Sequence, residues 1–351
     1  MLNPTTPQNR DVTIDILRGL AVFTMVAANA AAEVLAQPHP LWFRFYGSFA
    51  APLFIIISGM MVNFTTKAKG HRLKHFLTRG IVTVILGAIV DLFIWRIYPF
   101  MTIDVLYLIG ISLPLAYLFM NCNALSRWII VICIFISTPF IQKFLGYADY
   151  PTEVDLFREQ TLAVANQFGI FRHWLVDGWF PIFPWLGFSL LGVNLPYLRW
   201  RSESYTAIGR TVVFLISVGL LVLGAIIWTA YPGQLLVREG CSELFYPATI
   251  GYVISSIGLI LILFYIVDWS SSVIIYNPLK ALGRSSLVMY VLHLALVVYI
   301  ICPIWSEEDF QTFWLVYVLL ILLLISTAYA LSLSKTRWRD RPYMIRILLG
   351  G

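Results

Sequence analysis

Stretches of about 20 apolar residues, the length a helix needs to cross a hydrocarbon core of about 30 Å, recur along this chain between short polar connections. Inside a bilayer every backbone amide of such a stretch must be bonded within it, which restricts the stretch to a helix. Windows at 14–35, 45–66, 77–98, 102–120, 127–145, 180–198, 209–230, 247–267, 279–302 and 310–333 use nearly all of the 351 residues and predict about ten transmembrane helices. The composition agrees: 60% of residues are hydrophobic, 12% are charged and mean hydropathy is +0.82. Soluble domains carry about twice that charge, so a soluble fold is excluded. The expected fold is all-α and polytopic, a single transmembrane domain over residues 1–351.

Charge orients it. Short cytoplasmic loops collect Lys and Arg, and with the N-terminus inside, 18 of the 24 basic residues fall on one side. They include Arg10, Arg18, Lys67, Arg79, Arg127, Arg284 and the Arg337–Arg346 cluster. The opposite side holds Arg44, Arg96, Lys143, Arg158, Arg172 and Arg238. Both termini are therefore expected to be cytoplasmic, and the net charge of +6 reads as topology plus attraction to anionic lipid, not as a nucleic-acid surface. Residues 1–35 share features with a signal peptide, but their length and the internal Asp15 argue for a retained first span.

The longest polar stretch, about 146–178, is expected on the outer face as a lid or binding loop. It carries Asp149, Glu153, Asp155, Arg158, Glu159 and Asp177, and Trp174 and Trp179 at its end are able to stack on a sugar ring or to form an interfacial belt. Pro181, Pro184 and Pro196 should bend or delimit the sixth span. Four cysteines without a Cys-x-x-Cys pair make neither a disulfide framework nor a metal pattern, although Cys241 and Cys302 could meet outside. Small-residue runs Ala27–Ala32 and Gly47–Ala51 allow close helix packing within one chain or in a homodimer.

Ionisable groups in apolar sequence cost several kcal/mol at membrane depth, about 3 for an uncompensated charge, and so mark pairs, wet cavities or chemistry. His39, in Gln37-Pro38-His39-Pro40-Leu41-Trp42, is expected at a cavity rim outside the first two spans. An imidazole there can serve as a general base near neutral pH or remain an ordinary interfacial histidine. Asn29 can orient that imidazole or hold an oxyanion, or simply bind helices together. At the inner end Asp15 and Arg18 share a helix face and can pair, while Arg18, Arg79 and Arg284 together suit a phosphate group. Ser286 and His293, seven residues apart, share one face of the ninth span and line either a ligand channel or a structural polar contact.

Six segments carry a family resemblance. Asp15-Ile16-Leu17-Arg18-Gly19-Leu20-Ala21 with Asn29, then His39-x-x-Trp42, then Ala51-Pro52-Leu53-Phe54 through Ser58-Gly59 resembles the opening of the heparan-alpha-glucosaminide N-acetyltransferase catalytic-domain family. Val105-Leu106-Tyr107-Leu108-Ile109-Gly110 is similar to that family's fourth-span region, and Phe180-Pro181-Ile182-Phe183-Pro184-Trp185-Leu186-Gly187 to its bacterial members. The Leu282-to-His293 stretch is similar both to it and to wider membrane acyltransferases.

The resemblance implies an acetyl-CoA-dependent membrane acyltransferase of the bacterial inner membrane. Acetyl-CoA would enter from the cytoplasm, with its nucleotide toward Arg18, Arg79 and Arg284 and its arm along Ser286 and His293. The acetyl group would pass to an amino or hydroxyl group of a sugar on the outer side. His39 is implied as catalytic and Asn29 as its assistant, while Trp42, Trp174, Asp177 and Trp179 would face the acceptor. Pro40 after His39, a short first outer loop and no long luminal N-terminal domain shift the expected acceptor from heparan sulfate to a cell-envelope glycan or lipid-linked sugar. A secondary transporter of a small anionic or sugar-like solute is the rival, and a non-catalytic membrane anchoring protein a further one.

Overall fold

A computed structural model describes residues 11–101, 103–146, 169–200, 210–231, 244–246 and 248–338, together with 340, 342, 345 and 349. Residues 147–168, most of the 146–178 stretch expected as a lid, and Cys241 in the 232–243 stretch, lie outside the described residues. Every apolar window forms a helix: α1 (Val12–Val34), α2 (Leu41–Ser48), α3 (Ala50–Lys69), α4 (Leu73–Val90), α5 (Val105–Phe119), α6 (Ala124–Leu145), α7 (Gly169–Arg172), α8 (Ile182–Arg199), α9 (Thr211–Ala230), α10 (Ile250–Ser270), α11 (Asn277–Arg284), α12 (Ser286–Leu296) and α13 (Phe310–Arg337). Polar side chains start several of them. Asp11, Asp104, Asn123 and Asp309 each accept a hydrogen bond from a first-turn amide that has no partner inside its own helix.

Among the described residues seven helices are long and apolar enough to cross a bilayer, and two bent pairs raise this to nine. The fourth window forms only the 15-residue α5, about 22 Å at a rise of 1.5 Å per residue. The ninth window is not the single straight span the hydropathy suggests, because α11 and α12 meet at 82°. Ser285 leaves the helical region at φ −126°, and the carbonyl this frees on Arg284 accepts a bond of 2.9 Å from Lys335 Nζ, which also donates to Ser285 Oγ at 3.0 Å. A break that would cost two unsatisfied polar groups is thereby compensated. The sixth window is delimited as the prolines predict: Ile182–Arg199 meets the preceding Gly169–Asp177 at a bend of 47°, with Pro181 at the joint.

The outward faces are apolar rather than polar. On α4 Leu77, Ile81, Ile85 and Ile89 are exposed at four-residue spacing, and on α6 Leu125, Ile129, Ile132, Ile136 and Phe140 repeat the pattern. Stripes of this length suit hydrocarbon and would aggregate in water.

The chain forms two compact units. Ile55–Arg238 with Phe245–Tyr265 make the first, in which α4 packs on α5 and α8 on α3, α5 and α6. A Cβ on Gly59 would stand 1.9 Å from the Ser189 carbonyl oxygen and one on Gly192 2.0 Å from that of Ile56, so α3 and α8 touch backbone to backbone. Its polar ties include the Tyr107 hydroxyl donating to the wholly buried Asp91, and Asn63 Nδ2 donating to the Val193 carbonyl at 2.8 Å.

Arg10–Phe54 with Glu239–Leu244 and Ile266–Gly351 make the second unit. Its axis is the contact of α1 with α11, where Cβ atoms on Gly19 and Gly283 would each lie 1.9 Å from the opposing carbonyl oxygens of Leu279 and Asp15. The small-residue run on α1 is spent here: Ala27, Ala30 and Ala31 are fully buried, and Ala28 faces Gly47 of α2. α13 closes the unit, with the Tyr317 hydroxyl donating to the Phe23 carbonyl at 2.9 Å.

Gly283→Val should force α11 off α1 and lower the detergent-solubilised melting temperature by several degrees or abolish folding. Gly219→Ala, where a Cβ meets nothing within 4 Å, should leave it unchanged, and fluorescence-detected thermal melting of the two variants reads the difference.

Candidate active site

The second unit brings together most of the polar residues singled out in the sequence. After α1 the chain turns through residues 35–40 and is pinned to the segment before α13: Glu308 N–H donates to the Val34 carbonyl at 2.7 Å and Ala36 N–H to the Glu308 carbonyl at 2.9 Å. His39 hangs from this turn. Expected at a cavity rim, it is buried, 4% exposed, with Nε2 3.0 Å from the Leu35 carbonyl and its ring edge-on to Phe43. A carbonyl only accepts, so Nε2 carries the proton, and the neutral ring keeps its lone pair on Nδ1. Burial pushes the imidazole below the usual histidine range, the Leu35 carbonyl partly opposes this, and the nearby Arg44 charge adds to it. His39 is thus held as a neutral base in a fixed tautomer. Phe43, 1% exposed, anchors the turn within an aromatic cluster of Phe310, Phe313 and Trp314. Trp42 lies at its rim, 57% exposed and edge-on to Phe310, so its ring is presented outward.

Asn29 does not spend its amide on His39. Its Nδ2 stands 2.9 Å from Nε2 of His293 on α12, whose Nδ1 is 2.9 Å from the Met289 carbonyl. The Met289 carbonyl requires the proton on Nδ1, so Nε2 accepts and Asn29 donates. His293 is fully buried with both ring nitrogens engaged by the protein. Expected to line a ligand channel or to make a structural polar contact, it braces Asn29, and Ser286 one face-repeat away is likewise buried. One turn along α1 from Asn29, Glu33 Oε2 receives the Cys302 thiol at 3.7 Å. Cys302 is a free thiol. Glu33 was missed in the sequence because a single carboxylate near the end of a span looks interfacial; its four-residue spacing from Asn29 was the available signal.

At the other end of α1 the buried Asp15 takes Arg284 as ion-pair partner, Nε to Oδ2 at 3.2 Å, across the glycine contact. The Arg284 side chain stays 47% exposed, leaving its terminal nitrogens able to grip an anion. Arg18 is half-buried on the same helix. Thr13 Oγ1 donates to Asp268 at 2.8 Å, a further tie at this end.

Arg79, Trp174, Asp177 and Trp179 belong to the first unit. Arg79 is half-buried on α4, one turn beyond the stacked rings of His71 and His75 at 3.7 Å. Asp177, expected to face an acceptor, is wholly buried and engaged by the protein: Arg172 Nη2 donates to Oδ2 at 2.7 Å and the Tyr246 hydroxyl to Oδ1 at 2.8 Å. His173 Nδ1 lies 3.1 Å from Oδ2 without hydrogen-bonding geometry. Trp174 and Trp179 pack tilted against Tyr107 and Tyr246.

Asn29→Ala leaves the buried His293 acceptor unsatisfied and should destabilise the protein by about 1–3 kcal/mol. In a double-mutant cycle the loss should couple to His293→Ala and add independently to His39→Ala, read by thermal melting.

A search among curated proteins gave no match. The family model described as heparan-alpha-glucosaminide N-acetyltransferase, catalytic, matches residues 10–224, more than half of the chain and a stretch that includes Asn29 and His39. The chain is therefore a member of the heparan-alpha-glucosaminide N-acetyltransferase catalytic family, a family of transmembrane acetyltransferases.

Proposed function

We propose that this protein moves an acetyl group from cytoplasmic acetyl-CoA to an amino or hydroxyl group of a sugar on the outer side of a bacterial inner membrane, the chain acting as one acyltransferase domain. The observation that carries this reading is His39: a buried, neutral imidazole held through Nε2 by the Leu35 carbonyl, in a chain whose family transfers acetyl groups. Both termini are taken as cytoplasmic on the charge asymmetry of the loops, which puts His39 at the outer end of α1 and Asp15 with Arg284 at the inner end.

In the proposed reaction the acceptor's neutral amine or hydroxyl attacks the thioester carbonyl, the carbon–sulfur bond breaks, and the departing CoA thiolate takes back the proton that the attacking group gave up, leaving as its thiol. His39 takes the proton from the attacking group. In the two-step variant the imidazole is itself acetylated before the acceptor arrives. Asn29, its amide held in place by His293, supports either route with a fixed N–H donor toward developing negative charge. Arg284 and Arg18 suit the phosphates of the donor, and Trp42 offers an exposed ring to the acceptor sugar. A cell-envelope glycan or lipid-linked sugar is the acceptor class proposed.

The 82° break between α11 and α12 is the feature that favours the transporter reading, since broken helices line solute sites in transporters. Solute uptake into proteoliposomes without thiol release would decide for it.

Purified protein given acetyl-CoA and an amino sugar should release thiol, and His39→Ala should slow that release by about 10²–10⁴-fold, the usual contribution of a positioned acid–base group. Unchanged turnover in His39→Ala refutes the assignment. Because His39 is held below its ordinary pKa of 6.5, the base is already deprotonated at neutral pH. The acid limb of the rate profile should therefore lie below pH 6.5, with activity lost as protons are added. Arg44→Gln removes one cause of that depression and should move the limb toward higher pH.

A further inference from the structure

We infer that the first unit carries a binding site for a phosphate ester at the end where α3 and α8 finish and α6 begins. Lys67 in the last turn of α3 places Nζ 3.8 Å from the centroid of the Tyr197 ring, and Arg127 in the first turn of α6 places Cζ 4.1 Å from the same centroid. The two cations are therefore at most about 8 Å apart. Among the described residues neither has a carboxylate within ion-pair distance. The negative ends of α3 and α8 account for a cation near each helix terminus. They do not account for two cations gathered on one ring, where each repels the other.

A second, independent observation points to an absent ligand. Asn194, 2% exposed, accepts from Arg127 Nε at 2.9 Å through Oδ1, and its Nδ2 donor has no partner. Arg127 spends Nη1 on the Cys122 carbonyl at 2.8 Å, which fixes the guanidinium and leaves Nη2 free to donate. Asn63, wholly buried, holds the adjacent Val193 carbonyl and keeps Oδ1 unpartnered, an acceptor for a ligand hydroxyl. Two charges without counter-ions, a rigid guanidinium and an orphaned amide donor beside it form the donor set a tetrahedral phosphate uses. The loop charge bias assigns this end to the cytoplasmic side, where two sources of that chemistry meet the protein: an anionic lipid headgroup and the phosphates of a soluble nucleotide such as CoA. The inference does not depend on acetyl transfer.

Full-length protein in phosphatidylcholine nanodiscs, titrated separately with CoA, dephospho-CoA and phosphatidylglycerol under native mass spectrometry, tests it. Lys67→Gln should weaken one of these ligands at least tenfold with an unchanged melting temperature, and Asn194→Ala should do so with a lowered one, since it also leaves the buried Arg127 Nε without its acceptor. Loss of CoA alone names the nucleotide, with dephospho-CoA showing which phosphate is held. Loss of phosphatidylglycerol alone names the lipid. Retention of all three ligands in both variants overturns the site, and so does wild-type protein that retains none, a result that needs no variant. Wild-type protein that binds through these residues yet releases no thiol from acetyl-CoA would leave this site standing and remove the catalytic reading.

Discussion

The second unit depends on one close approach, that of α1 to α11 through Gly19 and Gly283. With no Cβ on either residue, the two backbones come near enough for Asp15 to reach Arg284 at one end. In hydrocarbon there is no hydrophobic force pulling helices together, so such contacts rest on dispersion between closely fitted backbones and on buried polar bonds. α12 follows α11 after a sharp break, and the same packing places His293 within hydrogen-bond distance of Asn29. A one-methyl change at the contact would thus be felt at both ends of α1.

The polar groups along α1 form a graded series. At one end a buried carboxylate is neutralised by an arginine. Further along the helix an amide is braced by a histidine with both nitrogens engaged, and one turn beyond that a carboxylate receives a thiol. Past the helix end, an imidazole is locked by a carbonyl four residues before it. Each member is held by a partner whose geometry fixes its tautomer or orientation, as buried polar groups in a low-dielectric interior require. His39 gains its neutral form from burial and from the Arg44 charge, while the Leu35 carbonyl decides which nitrogen keeps the proton.

Much of this was legible in the residues. Helical class, the positions of the helices, the bend at Pro181 and the family follow from local features: apolar length, proline and short motifs. His39 and Asn29 stood out because a polar side chain in apolar sequence calls for a reason. Their environments did not follow. The exposure of His39 was misjudged because flanking prolines suggest a surface turn, whereas the parallel bridge of Leu35 to Glu308 and the Phe43 cluster bury it. The break at Ser285 is hidden from a hydropathy window because Gly283, Arg284 and Ser285 are short interruptions in an otherwise apolar run, and its compensation comes from Lys335, fifty residues away.

What the amino-acid order settled by itself is the solvent this chain folds in, the helices it forms there and the few polar side chains that must be accounted for. These follow from periodicity and transfer free energy, which are properties of neighbouring residues. Tertiary structure alone decided the partners. Asn29 meets His293 across 264 positions and Asp15 meets Arg284 across 269. Such pairs depend on which helix faces touch, and that is governed by glycine contacts and backbone breaks acting over the whole fold rather than by any local pattern.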